Sequence, residues 1–445
     1  MQSRPDMDTI FALSSGRLPA GLAVIRLSGP AAFEAVRAMA GDLPPPRYMA
    51  RRAFRTPTGA LLDRGLLVIF PGPASFTGED CAELHLHGGK AVVAAVSREL
   101  ANIPGIRIAE AGEFSQRAFT NGKFDLTTAE ALADLIEAET EAQRRFAVEN
   151  ASGRNATLYA RWRDVLIQGR ALIEAELDFP EEDDVPGSVS PQVWASVEDL
   201  VREIDAHLVH QRSGEIIRDG FRVAIVGAPN AGKSSLLNAL ARRDVAIVSD
   251  EPGTTRDTVE VALDLEGLKV ILTDTAGIRE TTGTIEREGI ARARAAADRA
   301  DLVLLVKDGT GPAAPDAAWP AKRTLTVWSK TDLLDDTDSR ETSPDAIRIS
   351  TLTGDGVADL VARITAEAVK AVARTADPLP FRERHVNELT AARRALDSFI
   401  HSRDAPLELA AEQLRMASDS LARIIGVIDT EDLLDVVFSR FCIGK

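Results

Sequence analysis

The run Gly227-Ala228-Pro229-Asn230-Ala231-Gly232-Lys233-Ser234 stands between the apolar stretch 221–226 and the helix-forming Ser235-Leu236-Leu237-Asn238-Ala239-Leu240. A buried strand that turns into a helix through such residues is a P-loop. Its glycines let backbone N–H groups point inward at a polyphosphate, Lys233 reaches the β- and γ-phosphates, and the Ser234 hydroxyl is offered to Mg²⁺. Downstream, Ser249 and Asp250-Glu251-Pro252-Gly253-Thr254-Thr255-Arg256-Asp257 precede a strand-like 270–273 that ends in Asp274-Thr275-Ala276-Gly277. A carboxylate ending an apolar strand is placed to hold Mg²⁺ through water, and a following glycine amide bonds the γ-phosphate. Thr255 ligates Mg²⁺ when that phosphate is present, which makes its loop a switch.

The base is read further on. The strand 325–328 leads into Ser329-Lys330-Thr331-Asp332, and 347–349 leads into Ser350-Thr351-Leu352. The two acceptor oxygens of Asp332 match the N1–H and N2–H₂ donors of guanine, a pair adenine lacks. The Lys330 stem can cover the base plane. GTPases usually carry Asn where Ser329 stands, so the shorter hydroxyl is expected to lose a contact to the base or to the neighbouring loop, lowering affinity while guanine specificity survives. Residues 230–235, 249–255, 274–277, 329–332 and 350–352 are the expected GTP contacts. Hydrolysis is less plainly written. Ile278 follows Gly277 where many small GTPases place a water-orienting Gln, and an isoleucine cannot orient water. Arg279, Glu280 and Glu286 are candidates for the activating group. The transition-state cation is left to Arg256, a partner arginine or a monovalent ion.

The elements that must hold these residues surround them. Between 8 and 119, strands are expected over 21–27, 65–70, 82–87 and 106–108, with helices over 31–40 and 91–100, as in a small α+β domain. Glu83, His85 and His87 share one strand face and Leu84 and Leu86 the other. The two histidines form a potential metal pair with no evident third ligand. From 123 the pattern turns helical: Thr127-Thr128-Ala129-Glu130 reads as a capping box, and Leu132, Leu135 and Ile136 continue at helical spacing through Ala142 as one long helix. Helices are expected over 162–176, 193–211, 386–400, 407–425 and 432–441, with the acidic, proline-bounded 180–191 as a loop. Residues 217–373 alternate strand and helix as a parallel α/β domain does. Neither helical block has strands of its own, so the economical arrangement is one helical bundle interrupted by an inserted nucleotide-binding domain. The expected domains are residues 1–120, α+β; 121–215, the first helical half; 216–375, the inserted Ras-like P-loop domain; and 376–445, the second helical half.

Bulk composition agrees with a multidomain protein, because 445 residues exceed what one hydrophobic core usually supports. The net charge of −16, from 68 acidic and 52 basic residues, argues against strong unaided binding to nucleic acid or to an anionic membrane. The clearest basic cluster, Arg47, Arg51, Arg52 and Arg55, reads as a solvated face. Two cysteines, Cys81 and Cys442, and the lack of a long apolar span imply a cytoplasmic, reduced chain with no membrane role. Cys442 stands where prenylation would act, but Gly444 and Lys445 fit that motif poorly.

Taken together, Asp8-Thr9-Ile10, Phe76-Thr77-Gly78-Glu79-Asp80, His87-Gly88-Gly89, Gly112-Glu113-Phe114-Ser115, Arg117-Ala118-Phe119, the inserted nucleotide domain and the ending Phe441-Cys442-Ile443-Gly444-Lys445 closely resemble the tRNA-modification GTPase family MnmE, also called TrmE. The resemblance covers essentially the whole chain. It implies a homodimer formed through a tetrahydrofolate-binding N-terminal domain, a helical domain, and a GTPase domain that dimerises transiently with GTP bound. It implies that Asn230 ligates K⁺, with Ser249, Glu251 and Thr254 in the loop that completes the site, and that the ion supplies the missing positive charge. Glu286 would be the water-orienting catalytic carboxylate. Arg26, Glu83, Lys123 and Lys445 match folate contacts, for a derivative in the 5-formyl or methylene form. Cations suit folate carboxylates, and a carboxylate can take paired N–H donors from a pterin. With an FAD-dependent partner, MnmG, in a heterotetramer or larger complex, the family installs an aminomethyl or carboxymethylaminomethyl group at carbon 5 of the wobble uridine of tRNA. Cys442 is either a reactive thiol beside the folate or a packing residue. The competing readings are a ribosome-assembly GTPase switch, for which this acidic chain shows no RNA-binding appendage, and a stand-alone folate transferase with a regulatory GTPase.

Overall fold

A computed structural model describes residues 8–178, 190–243, 245–247, 259–274, 294–311, 323–334, 346–372, 378–403, 405–428, 438 and 444. The chain packs as two compact units, one of Met1–Ala133 with Leu421–Lys445 and one of Asp134–Ser420.

The first unit is built on a six-stranded sheet in the order β3-β4-β5-β2-β1-β6. Its strands are β1 (Thr9–Leu13), β2 (Ala20–Ser28), β3 (Ala50–Arg55), β4 (Leu61–Phe70), β5 (Cys81–Gly88) and β6 (Ile106–Ile108). Neighbours are antiparallel except β1 with β6. Helices α1 (Ala32–Ala40) and α2 (Lys90–Ala101) cover one face, where Ile25, Leu27, Leu67, Leu84 and Leu86 form a buried core. Alternation along the strands sends Arg26 and Glu83 to the opposite face. Helix α3 (Glu113–Thr120) follows.

Four details differ from the sequence expectation. Strands β1 and β3 appear in addition to the expected four; β3, Ala-Arg-Arg-Ala-Phe-Arg, is an edge strand whose arginines look like mere surface charge in sequence. Helix α4 (Leu126–Glu137) is capped by Asp125 rather than by Thr127: Asp125 Oδ1 accepts from the Thr128 N–H at 3.0 Å, and its carboxylate takes both threonine hydroxyls. The expected long helix stops at Glu137. A reciprocal Thr140–Gln143 capping box then opens α5 (Glu141–Ala151), satisfying orphan N–H groups and fixing the break. The helix expected over 193–211 is instead α7 (Ser190–Leu208) followed by α8 (Gln211–Asp219), with α6 (Arg154–Asp178) before it.

In the second unit, α8 delivers the chain into a second six-stranded sheet, ordered β12-β11-β10-β7-β9-β8. These strands are β7 (Phe221–Gly227), β8 (Val259–Leu265), β9 (Leu268–Asp274), β10 (Leu302–Asp308), β11 (Thr324–Ser329) and β12 (Ile347–Arg348). All neighbours are parallel except β8 with β9. Central β7 is buried on both faces: Val223 and Ile225 meet α9 (Lys233–Ala241) and α10 (Val357–Ala371), and Ala224 and Val226 meet Ala297 and Ala300. Helices α11 (Glu383–His401) and α12 (Leu407–Ile425) follow.

Helices before and after the sheet pack on each other. Trp194 of α7 stacks on Phe399 of α11 with centroids 4.2 Å apart, and Arg393 pairs with Asp205 at 2.7 Å. Tyr159 of α6 donates or accepts a 3.0 Å bond with His207 of α7 and lies edge-on to His385 of α11. Phe399→Ala is therefore expected to destabilise the helical part by about 3–5 kcal/mol, with a red shift of Trp194 emission in the native state. Urea titration followed by that emission checks it; a loss under about 1 kcal/mol would mean the two helices share no core.

Candidate functional site

The nucleotide motifs converge at one edge of the second sheet because its strands run in parallel. Val306 stands opposite Gly227 and Asp308 opposite Ser329, so the loops leaving β7, β10 and β11 emerge side by side. Such an edge is where ligands bind in open α/β sheets. Gly232 opens α9 in the left-handed region at φ 91°, a conformation costly for residues with a Cβ. Asn230 holds φ 61° at the exposed loop tip, which asparagine tolerates better than most residues.

Lys233 is 7% exposed and folds back on its own loop, donating from Nζ to the carbonyls of Gly227 at 3.0 Å and Ala228 at 2.8 Å. Burial pushes its ammonium below the ordinary lysine range, and the Asp274 carboxylate opposes that shift. A polyphosphate in the loop would replace those carbonyls with formal negative charge. Ser234 Oγ donates to Asp274 Oδ2 at 2.7 Å, and Asp274 is 2% exposed at the end of β9. A hydroxyl and a buried carboxylate held together beside a phosphate loop are a hard-oxygen donor set suited to Mg²⁺.

The base end is equally organised. Ser350 Oγ donates to Asp332 Oδ1 at 2.6 Å and accepts from the N–H groups of Leu352 and Thr353, which orients the carboxylate for a donor pair. Thr331 and Asp332 begin the single turn after β11, and Thr351 lies in the turn after Ser350. Lys330, at φ 58°, pairs with Asp308 at 2.6 Å. Sequence reading missed Asp308; its signal was a carboxylate ending the strand beside the lysine motif. Lys330 holds the Asp308 carboxyl down to about 2, with Thr310 assisting.

Of the two contacts at stake at Ser329, the one to the neighbouring loop is present. Its hydroxyl still reaches the phosphate loop, donating to the Ala231 carbonyl at 2.6 Å with the Lys307 carbonyl at 3.2 Å. The tie to the neighbouring loop is thus kept, because β11 brings residue 329 directly under that loop. Of the remaining expected nucleotide contacts, Ser235 sits in the first turn of α9. Ser249 to Thr255, Thr275 to Gly277, Glu286, Cys442 and Lys445 lie outside the described residues.

In the first unit, Arg26 and Glu83 are direct register partners on β2 and β5. Arg26 Nε and Nη2 both donate to Glu83 Oε1, at 3.1 and 2.9 Å. His85 Nε2 stands 3.4 Å from Glu83 Oε2. The Arg26 guanidinium lies 5.4 Å from the Phe76 ring and 5.9 Å from the Phe114 ring, two aromatics whose sequence motifs alone do not show this contact. Lys123 donates to the Pro73 carbonyl at 2.7 Å, in the same loop that carries Phe76. Gly444, at φ 100°, is placed so that a Cβ would fall 2.2 Å from the Leu13 carbonyl, and Ser14 donates to its carbonyl at 2.7 Å. Leu13 pairs with Ile25, the neighbour of Arg26 on β2. A carboxylate with acceptor capacity, a guanidinium and an aromatic wall fit a flat heterocycle bearing N–H donors and carboxylates. Among the described residues no cluster of three potential metal ligands occurs, and His87 Nδ1 bonds Asp63 at 2.8 Å.

A glycine loop beneath a helix N-terminus, a paired hydroxyl and carboxylate, and an oriented base-end carboxylate define a P-loop guanine-nucleotide-binding protein. The MnmE helical domain family matches residues 126–442, and the family described as GTP-binding protein TrmE N-terminus matches residues 9–123. The tRNA modification GTPase MnmE of Mesorhizobium japonicum is 55% identical over 98% of this chain and 99% of its own length. Those of Chelativorans sp. and Brucella anthropi are 55% and 52% identical, covering 99% and 98% of this chain and 99% and 98% of their own lengths. The chain belongs to the tRNA modification GTPase MnmE family. Among the described residues no helix is long and apolar enough to cross a membrane.

The Asp308–Lys330 pair gives a pH test. A depressed carboxylate contributes above its unfolded value near 4 and is lost only as pH falls through about 2. Asp308→Asn is therefore expected to weaken GDP binding severalfold by releasing Lys330, with the ratio to wild type constant from about pH 5 to 8. Fluorescence titration across that range checks it; a ratio that drifts with pH assigns the effect to another group.

Proposed function

We propose that this chain hydrolyses GTP as a step in tRNA modification. The observation that carries the reading is the presence, in one chain, of an organised guanine-nucleotide site and a separate Arg26–Glu83 site, together with near full-length likeness to proteins named tRNA modification GTPases. In this reading the Lys233 ammonium and the loop N–H groups hold the phosphates, Ser234 and Asp274 hold Mg²⁺, and Asp332 selects guanine. Bound Mg²⁺ would neutralise phosphate charge. Asn230, exposed at the loop tip, would hold K⁺ with Ser249, Glu251 and Thr254, and that ion would supply positive charge to the transition state in place of an arginine. Thr255 would join the Mg²⁺ shell, Glu286 would orient the attacking water, and the nucleotide domains of two chains would meet in the GTP state.

The chemistry on tRNA is assigned to the other site. Arg26, Glu83, Lys123 and Lys445 would bind a tetrahydrofolate derivative, which supplies a one-carbon unit when bound, and Cys442 would lie beside it. A homodimer would act with the FAD-bearing MnmG to place an aminomethyl or carboxymethylaminomethyl group on carbon 5 of the wobble uridine. The domains would run as residues 1–120, 121–215, 216–375 and 376–445, in a cytoplasmic protein.

The deciding experiment is the nucleoside profile of tRNA from cells lacking the protein. Loss of the modified wobble uridine, restored by the wild-type chain, is expected; an unchanged profile would sink the proposal. Separately, GTP turnover at high protein concentration is expected to be at least tenfold faster in K⁺ than in Na⁺, about 1.4 kcal/mol of barrier. Equal rates in the two salts would remove the ion from the reaction.

A further inference from the structure

Guanine offers a protein two recognisable edges. N1–H and N2–H₂ are donors, whereas N7 and O6 are acceptors. Asp332, oriented by Ser350 at 2.6 Å, supplies acceptors for the first edge and can do nothing for the second. Donors for the second edge would have to come from positions such as 329. An asparagine amide there carries two protons, so it can satisfy a loop carbonyl and still offer one to the base. A serine hydroxyl carries a single proton.

In this chain that proton is committed. Both partners of Ser329 Oγ, the carbonyls of Ala231 at 2.6 Å and Lys307 at 3.2 Å, are acceptors only, so the hydroxyl must donate toward them. The residue is 2% exposed and Ala231 1%, and turning the proton away would forfeit the 2.6 Å bond that ties the phosphate loop to β11. What the hydroxyl has left is lone pairs, and N7 is itself an acceptor. The departure from Asn was expected to cost either the loop contact or the base contact. The loop contact is present.

We propose that Ser329 makes this chain blind to N7 of the purine: guanine is selected at the edge facing Asp332, and a guanine nucleotide lacking the N7 nitrogen binds as well as the natural one. Residue 329 is then given over to holding the phosphate loop to β11 rather than to reading the base. The inference rests on the guanine-nucleotide reading above.

The test is displacement of fluorescent methylanthraniloyl-GDP from the full-length protein by GDP, 7-deaza-GDP and ADP. GDP and 7-deaza-GDP are expected to compete within less than about twofold of each other, where one neutral hydrogen bond would separate them by about two- to twelvefold, and ADP is expected to compete far more weakly. A 7-deaza-GDP deficit of about twofold or more overturns the inference while leaving the guanine reading intact. ADP competing as well as GDP overturns the guanine reading, and the inference with it. Ser329→Asn provides the reciprocal arm: it is expected to bind GDP more tightly than wild type and to discriminate against 7-deaza-GDP by about fivefold. A folded variant that treats the two nucleotides alike would show that position 329 does not read the base. The wild-type comparison stands by itself if that variant does not fold.

Discussion

In the register of the parallel sheet, Val306 lies opposite Gly227 and Asp308 opposite Ser329, and the nucleotide site depends on that alignment. Strands that end together place the phosphate loop beside Lys330 and the Asp308 carboxylate that pairs with it. The Ser329 hydroxyl then fixes the spacing between the phosphate and base ends by bonding the Ala231 carbonyl. Buried Lys233 depends on the same arrangement, since the carbonyls it bonds belong to the loop that Ser329 holds. A shift of one residue in β11 would send the 329 side chain to the other face of the sheet and disconnect the two ends.

What could be read from sequence follows the same logic. Each nucleotide motif sits where an apolar strand stops, so Lys233, Ser234, Asp274 and Asp332 carried their structural context with them. Asp308 did not, because its role comes from a neighbour across the sheet, Lys330, and pairwise register is not written in local periodicity. Strand β3 was hidden for another reason: three arginines in six residues resemble a solvated charge cluster, yet an edge strand needs only Phe54 to point inward. At residue 125 a carboxylate outcompetes the adjacent threonines for the helix cap, binding their hydroxyls and an N–H at once. The long helical pattern beyond Leu132 concealed its own interruption, which the Thr140–Gln143 pair imposes.

The helices that flank the nucleotide sheet in sequence make a common core through Trp194, Phe399 and the Tyr159, His207 and His385 cluster. The sheet's two chain connections are close as well: a Cβ on Gly214, in the helix entering the sheet, would fall 2.2 Å from the carbonyl of Pro380, in the segment leaving it. Arg218 and Arg382, one on each connection, both bind Asp134. An insertion whose ends are clasped by one carboxylate leaves the surrounding helices free to pack as though the sheet were absent.

The anchoring of Gly444 by Ser14 and its close approach to Leu13 bear on how the protein is made. The strands of the first sheet leave the ribosome early, and their mutual pairing needs nothing downstream of Ile108. The seat beside Leu13 nevertheless stays vacant until more than four hundred further residues have been synthesised. Phe438 likewise reaches Leu126 and Ala129 only at that late stage. Folding of this unit is therefore split in time: its scaffold can form cotranslationally, while the contact of residue 444 with Leu13 and Ser14 waits for that residue to be made. A chain stalled before residue 444 would possess the sheet without the contact at Leu13.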